Sequence, residues 1–315
     1  MASSGQQYAL FCLVLQNAGL ILLTKYSFRP NAMPYSQAMA VLLSEVIKLA
    51  SCVCIELHRV GFSVKALGKS LRLTPGNVGM LLPATLYVVQ NMLQLLAIRG
   101  LSPAVYVTGA QLKVVTSAFF CVIILKRKLT SRQVVSFLPL MSGVALMNWS
   151  PDNGKNSASE VQAMTCLLIA VTLSGLAGAL LELSFKSEDE SIWAKNFFLS
   201  VFSLPAASFA AFHDSGNNPV GSLMSTIAGL DAIIWLVIVF LALGGLLTAL
   251  VMKYAGTLTK CYAVSVSIVL CTVVSILCGI QEWAYNTSLG SLLVIGSVFV
   301  YAHAPKPTGV DSIEK

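Results

Sequence analysis

Long apolar runs separated by short polar stretches make up almost the whole of this chain. Ten runs stand out: Tyr8–Thr24, Tyr35–Leu57, Gly76–Ala97, Pro103–Leu125 and Gln133–Trp149, then Val161–Leu183, Ile192–Phe212, Ser225–Met252, Thr257–Ile280 and Trp283–Ala302. Each is close to the roughly 20 residues a helix needs to cross the hydrocarbon core of a bilayer. They are apolar on every face. A barrel strand needs only about ten residues, with apolar and polar positions alternating. The pattern therefore predicts an all-α integral membrane protein with ten transmembrane helices. The run at 225–252 has length to spare, which suits a tilted helix or one that opens with a short interfacial turn.

The polar stretches refine this. Ten spans in two sets of five predict inverted repeats, because an odd number of spans per unit inserts the second unit upside down. The first five-helix half is 1–150 and the second is 161–303, with a non-cytosolic loop at 151–160 between them and a tail at 304–315. The longest internal loop, His58 to Pro75, carries Arg59, Lys65, Lys69 and Arg72. Its middle, Phe62 to Arg72, has the composition of a short amphipathic helix at the membrane surface. Ser102 and Pro103 read as a helix cap and a first-turn proline. The fourth loop carries Lys126, Arg127, Lys128 and Arg132. Two basic loops on one side place both termini in the cytosol by the positive-inside rule. Asn148-Trp-Ser150 and Asn286-Thr-Ser288 are poor glycosylation sites: a proline follows the first, and the second sits at the start of a span.

Composition agrees. Hydrophobic residues are 56% of 315 and charged residues 10%, against about a quarter charged in a soluble domain. Mean hydropathy is +0.79. The net charge of +7 resides in inter-helix loops rather than a basic surface interleaved with aromatics, so nucleic acid is not an expected partner. The eight cysteines lie in or beside apolar runs without metal-ligand spacing, and read as packing residues.

An ionised side chain inside a span is by default a site. Lys113 lies mid-way along the fourth run. On a continuous helix it shares a face with Tyr106, with Gly109 leaving a gap between them. The competing reading is a structural ion pair with a carboxylate such as Glu45 or Asp231. Glu45 and Lys48, one turn apart, are expected to pair. Gln90 and Gln94 share a face of the third span, where amides either read a base edge or join helices. Ser174-Gly-Leu-Ala-Gly178 lets another backbone or a ligand come close. Lys195 and Asn196 enter the seventh span. Gly244-Gly245 is followed by a very short turn bracketed by Lys253 and Lys260, suited either to a phosphate or to anchoring helix ends. No phosphate-binding Gly-Lys-Ser/Thr loop, no metal-binding His pair and no hydrolytic triad is legible. No cofactor or metal is called for, and an exchange carrier fits better than a pump or an enzyme. A non-transporting scaffold or receptor is the alternative of another class.

At Gln90-Asn91, Ala104-Val-Tyr106 through Gln111-Leu-Lys113, Ser174 to Gly178 with Glu182 and Lys186, Ser191-Ile-Trp-Ala-Lys-Asn196, Gly244-Gly245 and Lys253-Tyr-Ala255 with Lys260, the sequence resembles the nucleotide-sugar transporters of the drug/metabolite transporter superfamily. It looks closest to the branch of CMP-sialic acid and UDP-galactose transporters, and to its plant members. The resemblance implies a Golgi antiporter. It would exchange a nucleotide sugar, most simply CMP linked to an acidic sugar, for the nucleoside monophosphate, by alternating access. A UDP-sugar/UMP antiporter is the alternative. It further implies that Asn91, Tyr106, Lys113, Ser174, Asn196 and Lys253 line the nucleotide site, with Lys113 and Lys253 on the phosphate side. Gln90 and Lys260 join them as candidates. Membrane lipid is the other expected partner, and an oligomer is compatible with the pattern. Three departures bear on the substrate. Gly256 stands where the family usually has Asp, and Gly109 and Ser200 stand where it commonly has Tyr.

Overall fold

Nearly every apolar run becomes helix. The computed structural model describes residues 4–27, 35–101, 103–147, 158–187, 190–214, 227, 231–279 and 284–304. We number the helices α1 (Ser4–Ser27), α2 (Gln37–Arg59), α3 (Val64–Ser70), α4 (Pro75–Val78), α5 (Leu81–Gly100), α6 (Pro103–Ala110), α7 (Lys113–Ile124), α8 (Ser131–Val135), α9 (Phe137–Met147), α10 (Ala158–Lys186), α11 (Ile192–Asp214), α12 (Ala232–Tyr254), α13 (Thr257–Leu277) and α14 (Tyr285–Ala302). No strand occurs among the described residues. Among the described residues seven helices, α1, α2 and α10 to α14, are long and apolar enough to cross a membrane.

The expectation of ten continuous spans is corrected at three places. The fourth run is broken between α6 and α7 at Gln111-Leu112, the fifth is split between α8 and α9 at Ser136, and the third is divided between α4 and α5 at Gly79-Met80. At the first break the backbone tightens to bonds three residues apart, Leu112 N–H to Gly109 O (3.1 Å) and Val114 N–H to Gln111 O (3.0 Å). This is the geometry of a narrow turn inserted into an α-helix. At the second, the Ser136 hydroxyl turns back to Gln133 O (2.6 Å) and also meets the Tyr262 hydroxyl (2.6 Å). The eighth helix begins at Ala232, later than the run at 225. Ser102, Asn148 and most of the 151–160 loop lie outside the described residues. Asn286 falls in the first turn of α14.

Polar residues set the helix starts. Ser36, Ser63 and Thr74 accept from the backbone N–H groups of Met39, Ala66 and Asn77 (3.2, 3.3 and 3.2 Å), and Pro75 follows Thr74 as a first-turn proline. Thr130 and Gln133 form a reciprocal capping box at α8.

The chain forms two compact units, residues 1–88 with 184–256, and residues 89–183 with 257–315. In the first, α2 packs on α11 and α12, and α1 on α12. Met39, Leu42 and Ala211 form one core cluster; Ala40, Ile234 and Ile238 form another. The Gln16 amide donates to Phe240 O at 2.7 Å, tying α1 to α12. In the second unit, α9 packs on α14 and α7 on α13. The α9–α14 contact is backbone against backbone: a Cβ on Gly143 would lie 2.7 Å from Gly290 O. Small residues permit such approaches between helices in lipid. Tyr262 and Tyr301 stack at 4.2 Å beside Val114, Cys121 and Leu258. The opposite faces are apolar and exposed, as with Val115, Phe119 and Val122 on α7 and Leu292, Ile295 and Phe299 on α14. Exposed side chains of this kind suit contact with lipid rather than water.

Candidate functional site

In the second unit, the polar candidates gather around the break in the fourth run. Lys113 is the first residue of α7 and is half-buried. The first turn of α7 rests on α10: the Thr116 hydroxyl donates to Val171 O at 2.8 Å, and a Cβ on Gly175 would meet the Thr116 carbonyl carbon at 2.6 Å. Ser174 is half-buried beside that contact. Tyr106 packs against the cluster containing Leu167 and Val171. Lys113, Tyr106 and Ser174 are thus gathered along one stretch of α10. The reasoning that brought Tyr106 and Lys113 together on one continuous helix face is corrected, because the turn at 111–112 interrupts that face. The gap expected at Gly109 is also corrected: the Leu167 side chain fills it, 2.6 Å from where a Cβ would stand.

Lys260 lies in the first turn of α13 and is half-buried. A buried carboxylate holds that turn in place. Glu182, on α10 and fully buried, accepts the Thr257 N–H at 2.6 Å, while the Thr257 hydroxyl donates to Gly178 O at 2.9 Å. An anion at a helix N-terminus meets the positive end of its dipole. Arg127 approaches the other Glu182 oxygen at 4.0 Å, and Cys121 is 3.9 Å from the first. Sequence reasoning noted Glu182 only as part of a motif. Its partners are 75 and 61 residues away in sequence, and no local signal announces them.

Gln90 and Gln111 are buried with side-chain carbonyl oxygens that have no partner. A buried amide oxygen without a partner is costly and is a place for a ligand donor. Gln111 sits in the helix break itself, two residues before Lys113. Asn91 is exposed, together with half-buried Gln94, on the side of α5 opposite its exposed apolar stripe of Leu82, Val89, Met92 and Leu96.

In the first unit, Asn196 and Ser200 lie one turn apart on α11. Both are buried, with Asn196 Nδ2 and Ser200 Oγ unpartnered. The neighbouring Lys195 is committed elsewhere: its ammonium donates to Ser184 O, Ser187 O and Ser187 Oγ at 2.6–2.8 Å, a cation closing the C-terminal end of α10. Lys253 is half-buried at the end of α12, with its ammonium 6.0 Å from the Tyr254 ring centre. The turn after it is made by Gly256 at φ +84°, whose N–H bonds to Val251 O at 3.0 Å. An aspartate there would meet a backbone conformation that favours glycine. Gly244 and Gly245 serve packing: a Cβ on each would lie 2.6 Å from the Gln16 amide nitrogen and 2.8 Å from Lys48 Cδ.

Of the two carboxylates expected as alternative partners of Lys113, Glu45 and Asp231, the first is engaged elsewhere. Glu45 binds Lys48 at 2.7 Å and accepts from Ser203 at 3.0 Å. Among the described residues no carboxylate pairs with Lys113 or Lys253, and no cluster of His, Cys, Asp or Glu has the arrangement of a metal site.

Long apolar helices, broken mid-run beside a half-buried lysine, describe a polytopic membrane protein with polar groups set inside its helical bundles. Comparison with known proteins narrows this class. The nucleotide-sugar transporter family model matches residues 2–302. The chain is 32% identical to a UDP-N-acetylglucosamine transporter of Canis lupus familiaris over 98% of both proteins. It is 34% identical to the UDP-galactose/UDP-N-acetylglucosamine transporter srf-3 of Caenorhabditis elegans, over 93% of this chain and 81% of that protein. It is 31% identical to a UDP-galactose transporter of Schizosaccharomyces pombe, over 93% of this chain and 86% of that one. A crystal structure 16% identical in sequence superimposes with a TM-score of 0.71, over 95% of this chain and 96% of the other, a likeness of fold. The chain belongs to the nucleotide-sugar transporter family; it is a multi-pass membrane transporter and not an enzyme. These three relatives are named for UDP-sugars, not for a CMP-linked acidic sugar.

Proposed function

We propose that the protein is a UDP-sugar/UMP antiporter of the Golgi membrane, working by alternating access with both termini in the cytosol. The observation that carries the reading is Lys113: a cation at a break in a membrane helix, with no carboxylate partner among the described residues, in a chain whose relatives are named for UDP-sugars. Discontinuous helices place backbone groups and side chains where a polar substrate can replace their missing partners. Lys113 and Lys260 take the phosphate side. Tyr106, Ser174, Gln90 and Asn91 are the further candidate contacts of the same unit, and Lys253 and Asn196 those of the other. Two inverted five-helix repeats are supported by the packing partners: α2 with α11, α7 with α13 and α9 with α14 join the second, fourth and fifth runs to the seventh, ninth and tenth.

Thermal melting of the purified protein with a panel of monophosphates tests the base preference. UMP should raise the midpoint at lower concentration than CMP, AMP or GMP. A larger shift with CMP would restore the CMP-sugar reading. No shift with any nucleotide would favour a scaffold or receptor.

A further inference from the structure

The loop between α2 and α5 has a built, outward-facing basic surface that transport chemistry leaves unexplained. It belongs wholly to the first unit. On α3, Val64, Lys65, Gly68 and Lys69 form the exposed face, while Ala66, Leu67 and Ser70 are half-buried behind it. Lys65 and Lys69 are one turn apart, and Gly68 between them faces open space, with nothing within 4 Å of a Cβ built there. Arg72 is exposed beyond them, and Phe62, Val64 and Leu73 are exposed apolar side chains beside the basic ones, at 69%, 77% and 65%.

This surface is held by its inner side. Ser70 donates to the buried Glu56 carboxylate, which also takes Arg59 (2.7 Å) and the Ser191 hydroxyl (2.7 Å). Thr74 donates to Glu190, and the Asn77 amide to Arg72 O at 2.9 Å. Among the described residues, the acids beside the loop, Glu56 and Glu190, meet its inner side. The chain has no acidic residue between Glu56 and Asp152, and among the described residues Lys65, Lys69 and Arg72 have no carboxylate partner. A loop that merely fixed orientation by its charge would not need to be a capped helix anchored at two points.

Position supplies the occupant. The helix α2 is long and apolar enough to span a bilayer, and α3 begins a few residues past its end. The face therefore sits at the level of the lipid headgroups. Juxtaposed basic and apolar side chains at that depth favour anionic lipid. We propose that the exposed face of α3 is a binding site for anionic phospholipid headgroups of the surrounding leaflet. The phosphate lies over Gly68 between the Lys65 and Lys69 ammonium groups, and Phe62, Val64 and Leu73 rest against the acyl chains.

The test is thermal melting of the full-length, detergent-purified protein titrated with dioctanoyl phosphatidylserine, against dioctanoyl phosphatidylcholine and inorganic phosphate. The serine lipid should raise the midpoint, and neither control should match it. The double variant Lys65→Gln/Lys69→Gln should need at least fivefold more phosphatidylserine for the same shift, while keeping the wild-type response to UMP. The Lys65→Arg/Lys69→Arg variant should behave as wild type, and so should Lys126→Gln/Lys128→Gln, which removes equal charge from the other basic loop. Four results would overturn the site: equal shifts with phosphatidylcholine, equal shifts with inorganic phosphate, an unchanged response in the glutamine double variant, or an equal loss from the Lys126/Lys128 variant.

Discussion

Replacing Lys113 with Gln should weaken UMP binding well over tenfold, about 1.4 kcal/mol or more, and leave the ligand-free melting temperature close to wild type. The reason lies in what Lys113 does not do. Among the described residues it has no carboxylate partner, so removing it strands no opposite charge. A structural ion pair would behave otherwise, because loss of one partner leaves the other buried and uncompensated. What the variant loses is a fixed, half-buried cation beside a helix break. Lys260, the other half-buried cation proposed for the phosphate side, should show a smaller effect of the same kind. Neutral uridine should bind no worse to the Lys113 variant than to wild type. A Lys113→Gln protein that keeps its full UMP-induced shift would remove this lysine from the site.

Glu182→Ala should do the reverse, lowering stability by roughly 3 kcal/mol or more with or without ligand. The Glu182 carboxylate is fully buried and accepts the Thr257 N–H at the start of α13, with Arg127 near its second oxygen. Truncation leaves a buried donor unsatisfied, an arginine without its counter-charge and a cavity. Glu182→Gln should cost less, because an amide oxygen still accepts from Thr257. Any loss of UMP affinity in the Gln variant should follow from displacement of Lys260, three residues into the same helix. Melting curves of both variants without nucleotide check this. If Glu182→Ala melts at the wild-type temperature, the carboxylate is not what holds the α10–α13 contact.

The contrast between these residues shows what could be read in the sequence and what could not. The helices were legible because run length and uniform apolarity are properties of the chain itself, and the short basic loops marked their ends. The pairing of Glu45 with Lys48 was legible for the same reason, being one turn apart on one helix. Lys113 stood out because an isolated charge in an apolar run is expensive wherever the run packs. The breaks at Gln111-Leu112 and Ser136 were not legible. Neither has a proline or glycine at the non-helical residues themselves, and what accompanies them is tertiary: the seat of Thr116 on α10, and the meeting of Ser136 with Tyr262, 126 residues on. The same holds for Glu182, and for Ser191, which reaches Glu56 from 135 residues away. Gly109 read as a gap because a missing side chain is visible in a sequence and the Leu167 that fills its place is not. Ser200 marked a lost aromatic; its burial beside Asn196, with both polar atoms unpartnered, appears only once α11 is packed.

The base preference was the part that residue chemistry settled least. Amides, lysines and a tyrosine suit any pyrimidine nucleotide, and the UDP-sugar assignment leans on the relatives rather than on a contact. The most direct measurement is therefore exchange itself. Purified protein in liposomes preloaded with UMP, with CMP or with buffer is given external labelled UDP-N-acetylglucosamine or UDP-galactose. The account predicts uptake of at least one of these sugars that is fastest into UMP-loaded vesicles and close to background into empty ones. Equal uptake into empty and loaded vesicles, or uptake driven by CMP in preference to UMP, would contradict it.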